Sequence, residues 1–207
     1  MRLYDSIIPS GNSYKVHLLL AQLRKQYHVT DLDILSTPSQ TRTPAFLAKN
    51  PNGRIPLLEL DDGRLLPESN AILYYLAEGT PFLSSDPFER AQTLQWMFFE
   101  QYSHERFVAV LKFWTYWGGL DKLSSTEREM LQKRGQDALD VMETHLAKRS
   151  FFVADRYSIA DITLFAYTQS ADAIGYRTGP AVRAWLGRVR DMPHHVPIKA
   201  DPLGKAP

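Results

Sequence analysis

The sequence predicts an α/β domain followed by an all-helical domain. Residues 1–35 have the pattern strand, helix, strand, and the run from Asn50 to Glu78 has the pattern strand, tight turn, strand, helix. From residue 88 onward, apolar residues recur at helical spacing and no further strand is indicated. These three observations divide the chain into a mixed first part and a helical second part.

The first strand is predicted over Arg2–Asp5 and the second over Val29–Leu35. Residues 6–13 read as a turn-rich loop, so the helix between the strands is expected to begin near Tyr14. One apolar stripe at helical period supports this helix: Val16, Leu19, Leu20, Leu23 and Tyr27. A strand, helix and strand of these lengths predict a right-handed unit with two parallel strands.

A hairpin and a helix follow. Ile55–Leu60 is an apolar run, residues 61–63 (Asp-Asp-Gly) are a turn signal, and Arg64–Leu66 can return antiparallel. Ser69 is expected to cap the helix over Asn70–Ala77. With a short helix from Pro44, the order becomes β-α-β-α-β-β-α, which is the thioredoxin-like order.

We therefore predict a thioredoxin-like domain over residues 1–78, a linker over 79–87 and an all-helical domain over 88–207. Two patterns fit capping boxes at helix starts, Ser124 with Glu127 and Ser158 with Asp161. The tail from Pro193 is rich in proline and glycine, and we expect it to be irregular and docked on the surface.

Composition excludes several classes of function. Lys plus Arg is 24 and Asp plus Glu is 23, so the charge gives no indication of nucleic acid or anionic membrane binding. No apolar stretch is long enough to span a bilayer, which makes a cytoplasmic protein the expectation. The chain has no cysteine, so any thiol chemistry must use a ligand's thiol. His194 and His195 have no carboxylate or cysteine neighbours at ligand spacing, and no metal site is predicted.

Three motifs in this order of elements carry a family resemblance: Arg54-Ile55-Pro56 in the hairpin, Glu68–Leu73 at the helix start, and Ser158–Asp161. Together they resemble the glutathione S-transferase family, most closely its bacterial theta-like and nu-like members of the serine or asparagine type. The resemblance covers essentially the whole chain. It implies glutathione as co-substrate, no metal, and a homodimer with interfaces at Ala71–Tyr75 and Arg90–Phe98.

The resemblance also implies roles for residues in the first domain. A cis peptide is expected before Pro56, so that the backbone of Ile55 contacts the cysteinyl part of glutathione. Glu68 and Ser69 match the pair that holds the γ-glutamyl amine and carboxylate. Arg54 falls where some members place a basic residue near the glycine carboxylate.

The nucleophile in such a reaction is the thiolate, which is scarce for a free thiol at neutral pH. The loop before the first helix can supply a hydroxyl, an amide and helix N–H groups to stabilise that anion. Ser10 is the first choice by the resemblance, since it stands six residues before Val16. Asn12 matches an asparagine of nu-like members, and Ser13 is the alternative, although it suits a helix cap better. Tyr4, inside the first strand, is a weaker choice.

The second substrate is expected against the helical domain, where an apolar pocket would be lined by Tyr102, Arg106, Phe107, Trp114 and Tyr116. Three functions follow from the resemblance. They are transfer of glutathione to a small electrophile, reduction of a disulfide or peroxide by glutathione thiols alone, and a non-catalytic scaffold of the same fold.

Overall fold

The computed structural model describes residues 1–206. The chain forms two compact units, one of residues 1–78 with the tail from His194, and one of Gly79–Pro193. The tail thus groups with the first unit, whereas the predicted domain ranges placed it with the helices. The segment predicted as a linker groups with the second unit, where the carbonyl of Phe82 accepts the N–H of Ile159 at 3.0 Å.

The first unit is a four-stranded mixed sheet with three helices. Its elements are β1 (Arg2–Ser6), α1 (Gly11–Gln22), β2 (His28–Leu32), α2 (Pro44–Leu47), β3 (Leu57–Glu59), β4 (Leu65–Pro67) and α3 (Ser69–Ala77). The strand order is β2-β1-β3-β4, with β1 and β2 parallel and the other two pairs antiparallel. The predicted β-α-β-α-β-β-α order is confirmed.

The core of this unit lies between the sheet and the apolar stripes of α1 and α3. Leu3 of β1 pairs in register with Leu58 of β3, and both are fully buried. Val16 and Leu19 of α1 and Ile72 of α3 have no exposed surface either. Burying these side chains holds the N-terminal ends of α1 and α3 in fixed positions.

Helix α1 begins earlier than the sequence indicated. Ser10 has extended backbone angles, and its hydroxyl accepts the N–H of Ser13 at 3.3 Å, so Ser10 is the N-cap. The expectation that Ser13 suits the cap better is therefore wrong: Ser13 lies in the first turn and is 1% exposed. This shift places Asn12 inside the first helical turn.

The second unit is helical. Its helices are α4 (Pro87–Phe99), α5 (Arg106–Phe113), α6 (Ser125–Leu146), α7 (Ile159–Thr168) and α8 (Pro180–Arg190). A wide π-type turn, Glu100–Glu105, joins α4 to α5, and a second one, Trp114–Gly118, follows α5. The sequence predicted one regular helix over this whole stretch, because periodicity does not reveal a single inserted residue.

Both predicted capping boxes are present, but their surroundings differ. In the exposed box, Ser124 and Glu127 exchange bonds of 3.2 and 2.9 Å with each other's backbone N–H groups. In the other box, Asp161 is fully buried and also accepts the indole N–H of Trp185 at 2.9 Å and the N–H of Phe152 at 3.2 Å. Burial raises the pKa of Asp161 to about 6, although these hydrogen bonds favour the ionised form.

This contrast predicts unequal losses of stability. Asp161→Ala leaves buried donors of Trp185, Phe152 and Ser158 without their acceptor, and should lower the free energy of unfolding by about 3–5 kcal/mol. Glu127→Ala in the exposed box is the matched control and should cost about 1 kcal/mol. Urea denaturation of both variants checks the difference.

The pH dependence has a definite sign. The pKa of Asp161 in the folded chain, about 6, lies above its ordinary value of 3.8. The group therefore contributes stability that is fully present below the ordinary value and is lost as pH rises through about 6. The loss caused by Asp161→Ala should be larger at pH about 4 than at pH about 7, and equal losses in the two variants at both pH values would refute the assignment.

Candidate functional site

The N-terminal turns of α1 and α3 meet through three polar side chains. The amide oxygen Oδ1 of Asn12 accepts a hydrogen bond from Lys15 Nζ at 2.8 Å and another from Ser69 Oγ at 3.1 Å. Lys15 Nζ also lies 3.4 Å from Ser69 Oγ. We call these three residues the Asn12 cluster. It unites two residues that the sequence assigned separately to thiol activation and to ligand binding.

The chemistry of the donors fixes the orientation of the Asn12 amide. A lysine ammonium can only donate, so the atom of Asn12 that faces Lys15 must be the carbonyl oxygen. The hydroxyl of Ser69 donates to the same oxygen. The –NH₂ group of Asn12 is the other arm of the same amide, on the second residue of α1. An anion at this helix end would meet the N–H groups of the first turn and the helix dipole.

Sequence reasoning missed Lys15. This side chain is fully buried, which is rare for lysine and requires polar partners. Its position three residues after Asn12 was the available signal, because residues at that spacing share one face of a helix. The apolar neighbours Val16, Leu18 and Leu19 dominated the pattern instead.

Ser10 lies outside the Asn12 cluster. Its hydroxyl oxygen accepts the N–H of Ser13 as the cap of α1, while the hydroxyl proton can still be donated. The Ser10 side chain borders a cavity of about 410 Å³ together with Tyr14, His17 and the tail residues Val196–Lys199. The structure therefore does not bring Ser10 to Ser69, whereas it does bring Asn12 there. Tyr4, the weaker alternative, donates its hydroxyl to Glu59 Oε2 at 2.6 Å.

Glu68 stands between β4 and α3 in an unusual backbone conformation. Its φ is 71° and its ψ is 112°, a region that residues with a Cβ seldom adopt. Ser69 was expected to cap α3; instead it is the first helical residue, Glu68 occupies the cap position without a capping side-chain bond, and the Ser69 hydroxyl serves Asn12. The Glu68 side chain is exposed beside the helix end.

The hairpin residues lie just before β3. The Ile55–Pro56 peptide bond is cis, as the resemblance implied. Ile55 is half-buried, Pro56 is buried, and the Arg54 side chain is exposed. The carbonyl of Arg54 accepts a hydrogen bond from Asn50 Nδ2 at 2.8 Å, which fixes the backbone at this turn.

The predicted pocket residues of the second unit divide into two groups. Tyr102, Arg106 and Phe107 line a cavity of about 450 Å³, whose wall includes Met130 and Arg134 of α6. Trp114 and Tyr116 are not among its lining residues. They lie in the second π-type turn, with their rings against Phe113 and Trp117 respectively.

Residues 1–206 contain neither a metal-binding cluster nor a membrane-spanning helix. No group of three or more histidine or acidic side chains could hold a metal ion within this range. In the same range, no helix is both long enough and apolar enough to cross a membrane.

Family models decide the assignment. Residues 9–78 match the glutathione S-transferase N-terminal domain, and residues 125–188 match the glutathione S-transferase C-terminal domain. The chain belongs to the glutathione S-transferase family. Its cis peptide at Ile55–Pro56 and the polar contacts between α1 and α3 lie within the matched N-terminal domain.

Solved structures of bacterial family members share the fold. A glutathione S-transferase from Pseudomonas fluorescens is 49% identical, with a TM-score of 0.88 over 95% of this chain and 97% of that one. A possible glutathione S-transferase from Rhodopseudomonas palustris is 45% identical, with a TM-score of 0.90 over 97% and 98%.

Curated relatives have several names. The chain is similar to the glutathione S-transferase-like protein LUC7 of Fusarium (36% identity, 90% of this chain and 87% of that one) and to maleylacetoacetate isomerase of Pseudomonas aeruginosa (31%, 93% and 90%). It is also 33% identical to elongation factor 1-gamma of Danio rerio, over 80% of this chain but only 39% of that protein.

The conformation of Glu68 generates a prediction. A residue with a Cβ in this region costs about 1–3 kcal/mol, whereas glycine adopts it freely. Glu68→Gly should therefore leave the free energy of unfolding unchanged or raise it, despite the usual entropic cost of glycine. Glu78→Gly, at the exposed end of α3 where φ is −58°, is the control and should destabilise. A clear loss of stability in Glu68→Gly, measured by urea denaturation, would show that the conformation is not strained.

Proposed function

We propose that the protein is a glutathione transferase that ionises the thiol of glutathione and directs the thiolate at a small electrophile. The observation that supports this best is the Asn12 cluster, which brings an amide and a hydroxyl together at the N-terminal turns of α1 and α3. The –NH₂ of Asn12 would donate to the thiolate sulfur. Ser10 would contribute as the cap that holds the same helix end, rather than as the main partner of the sulfur.

The interaction energy needed to ionise the glutathione thiol is modest. Lowering the pKa of a thiol by about two units requires about 2.7 kcal/mol of preferential interaction with the thiolate. A hydrogen bond to a charged group contributes about 1.5–3 kcal/mol. The helix dipole adds about 0.3–1 kcal/mol. One asparagine donor at the first turn of α1 is therefore of the right size.

The other residues of the first unit would bind the remainder of glutathione. The exposed carboxylate of Glu68 would hold the γ-glutamyl ammonium, and the backbone N–H groups at the start of α3, with Ser69, would hold its carboxylate. The backbone of Ile55 would pair with the cysteinyl residue, as an added strand does. Arg54 would attract the glycine carboxylate.

The cavity of the second unit is our candidate for the second substrate. Its wall combines the rings of Phe99, Tyr102 and Phe107 with the guanidinium groups of Arg106 and Arg134. Such a wall suits an electrophile that has an apolar ring and a polar or anionic substituent. Trp114 and Tyr116, outside this wall, would shape the electrophile site only indirectly.

We also propose that the protein acts as a homodimer through Ala71–Tyr75 and Arg90–Phe98. Large apolar side chains in both stretches support this: Tyr75 is 47% exposed and Phe98 is 67% exposed. Exposed apolar groups of this size commonly mark association surfaces.

The two alternatives to glutathione transfer are glutathione-dependent reduction and a non-catalytic scaffold. In glutathione-dependent reduction, one glutathione thiolate attacks a disulfide and releases a thiolate, and a second glutathione then forms oxidised glutathione. Because the chain has no cysteine, both thiols would come from glutathione. In a scaffold, suggested by the likeness to elongation factor 1-gamma, neither product would form.

The variants Asn12→Ala and Ser10→Ala separate the two proposed thiolate partners. Asn12→Ala should lower kcat/KM by about 30-fold, since it removes about 2 kcal/mol of interaction with the thiolate. Ser10→Ala should lower it by only a few-fold, and should reduce stability by about 1 kcal/mol because it removes a cap. Steady-state kinetics and urea denaturation measure both. The reverse order of activities would return the role to Ser10.

Product analysis with the same samples identifies the reaction. A thioether adduct supports transfer, oxidised glutathione supports reduction, and the absence of both with a panel of electrophiles, disulfides and peroxides would favour the scaffold.

A further inference from the structure

Lys199 of the C-terminal tail contacts the sheet of the first unit. Its Nζ lies 2.9 Å from Asp5 Oδ2 and 2.7 Å from Asp31 Oδ1, and it also donates to the backbone carbonyl of Ser6. Asp5 and Ser6 are the last residues of β1, and Asp31 is the neighbouring position on β2. One tail side chain therefore spans the ends of two parallel strands.

Asp5 is the buried centre of this arrangement. It is 1% exposed, and its Oδ2 faces both Lys199 and His17 Nε2, the latter at 3.0 Å. His17 Nδ1 in turn lies 2.6 Å from the hydroxyl of Tyr27. Burial alone would raise the pKa of Asp5, but His17, Ser13, Lys199 and the N–H of Ser6 together hold this pKa below its ordinary value. A buried carboxylate of this kind depends on its positive partners.

The same residues control the loop that leads to α1. The N–H of Ser6 donates to Asp5 Oδ1 at 2.6 Å, and the Ser6 hydroxyl bonds both the N–H and the carbonyl of Ile8, at 3.1 and 3.0 Å. Two residues further, Ser10 caps the helix. Hydrogen bonds therefore run from Lys199 through Asp5 and Ser6 to Ile8, two residues before the cap of α1.

A second contact ties the tail directly to α1. The hydroxyl of Tyr14 donates to the carbonyl of Val196 at 2.8 Å. Tyr14 is two residues after Asn12 and is itself buried. The tail therefore contacts the end of β1, before the turn that carries Asn12, and also contacts α1 at Tyr14, after Asn12.

We propose that Lys199 is a positioning residue for the thiol-activating turn. By pairing with Asp5 and holding residues 195–198 against α1, it fixes the loop of residues 6–10 and, through that loop, the direction of the Asn12 amide. In this proposal, the tail helps to hold the active-site loop in place. The proposal rests on the proposed function for its catalytic consequence, but its structural consequence can be measured without any activity.

An ordinary surface ion pair would not have this effect. Lys133 and Asp137 on α6 form such a pair at 3.1 Å, and both side chains are about half exposed or more. The Lys199 pair differs because Asp5 is buried and because the lysine also bonds a backbone carbonyl at the strand end. Removing Lys199 leaves a buried acceptor without its cation, whereas removing Lys133 leaves solvated groups.

The experiment compares Lys199→Met with Lys199→Arg and with Lys205→Met in the full-length chain. Lys205 is an exposed lysine of the same tail and has no side-chain bond to the first unit among the described contacts, so it controls for loss of one tail charge. Lys199→Arg keeps the charge and the donors. Circular dichroism first establishes that all three variants are folded.

The first readout is hydrogen–deuterium exchange in peptides that cover residues 6–16. Lys199→Met should speed exchange there by about ten-fold, because local opening of the loop and of the first helical turn becomes easier. Lys205→Met should match the wild type, and Lys199→Arg should lie near it. Unchanged exchange in Lys199→Met would overturn the proposal, whether or not the protein proves to be a transferase.

The second readout is the pKa of the bound glutathione thiol, followed through its ultraviolet thiolate band. Lys199→Met should raise this pKa by about one unit, with a lower kcat and a nearly unchanged KM for glutathione. Faster exchange with an unchanged thiol pKa would refute the positioning role of Lys199. It would still show that the Lys199–Asp5 contact stabilises the loop of residues 6–10. Absence of the band in the wild type would count against the proposed function, and the exchange result would then stand alone as the test of Lys199.

Discussion

The arrangement of this site depends on one hydrogen bond, from the buried ammonium of Lys15 to the amide oxygen of Asn12. A buried lysine must have acceptors, and one of them is the side chain three residues earlier on the same helix. Meeting that need fixes the amide in one orientation. A structural requirement of the core thus determines which atom of the Asn12 amide faces Lys15.

The rest of the first unit maintains this bond. The sheet and the apolar faces of α1 and α3 hold the two helix starts at a distance where the Ser69 hydroxyl reaches the same oxygen. The strained backbone at Glu68 is what turns the chain from β4 into α3 at that place. Costly conformations persist where the surrounding structure over-determines them, and they often lie at functional sites.

The order of elements was predictable because it rests on periodicity and on turn and capping signals. The hairpin around residues 61–63, the parallel pair of β1 with β2, and both capping boxes all follow from patterns of a few adjacent residues. The positions of the individual site residues were harder to predict from the sequence. Among Ser10, Asn12 and Ser13, each type favours a helix start, so the sequence could not select the cap. The cap is decided by where the packed helix begins, which is at Gly11.

Contacts between residues far apart in the sequence could not be predicted, for a different reason. Asn12 and Ser69 are 57 positions apart, and Lys199 is 194 positions from Asp5. No local signal reports such pairs, and the tail's composition indicated only an irregular segment. The π-type turns are a third case, since one additional residue per turn shifts a helix face without breaking its apolar pattern.

The most direct test of this account is a titration of the wild-type protein with glutathione at neutral pH, monitored by the ultraviolet absorbance of the thiolate. The proposed donation from Asn12 to the sulfur predicts a thiolate band that grows with saturable binding and that is strongly reduced in Asn12→Ala. Saturable binding without the band, or an equal band in Asn12→Ala, would contradict the claim that this helix end ionises the thiol.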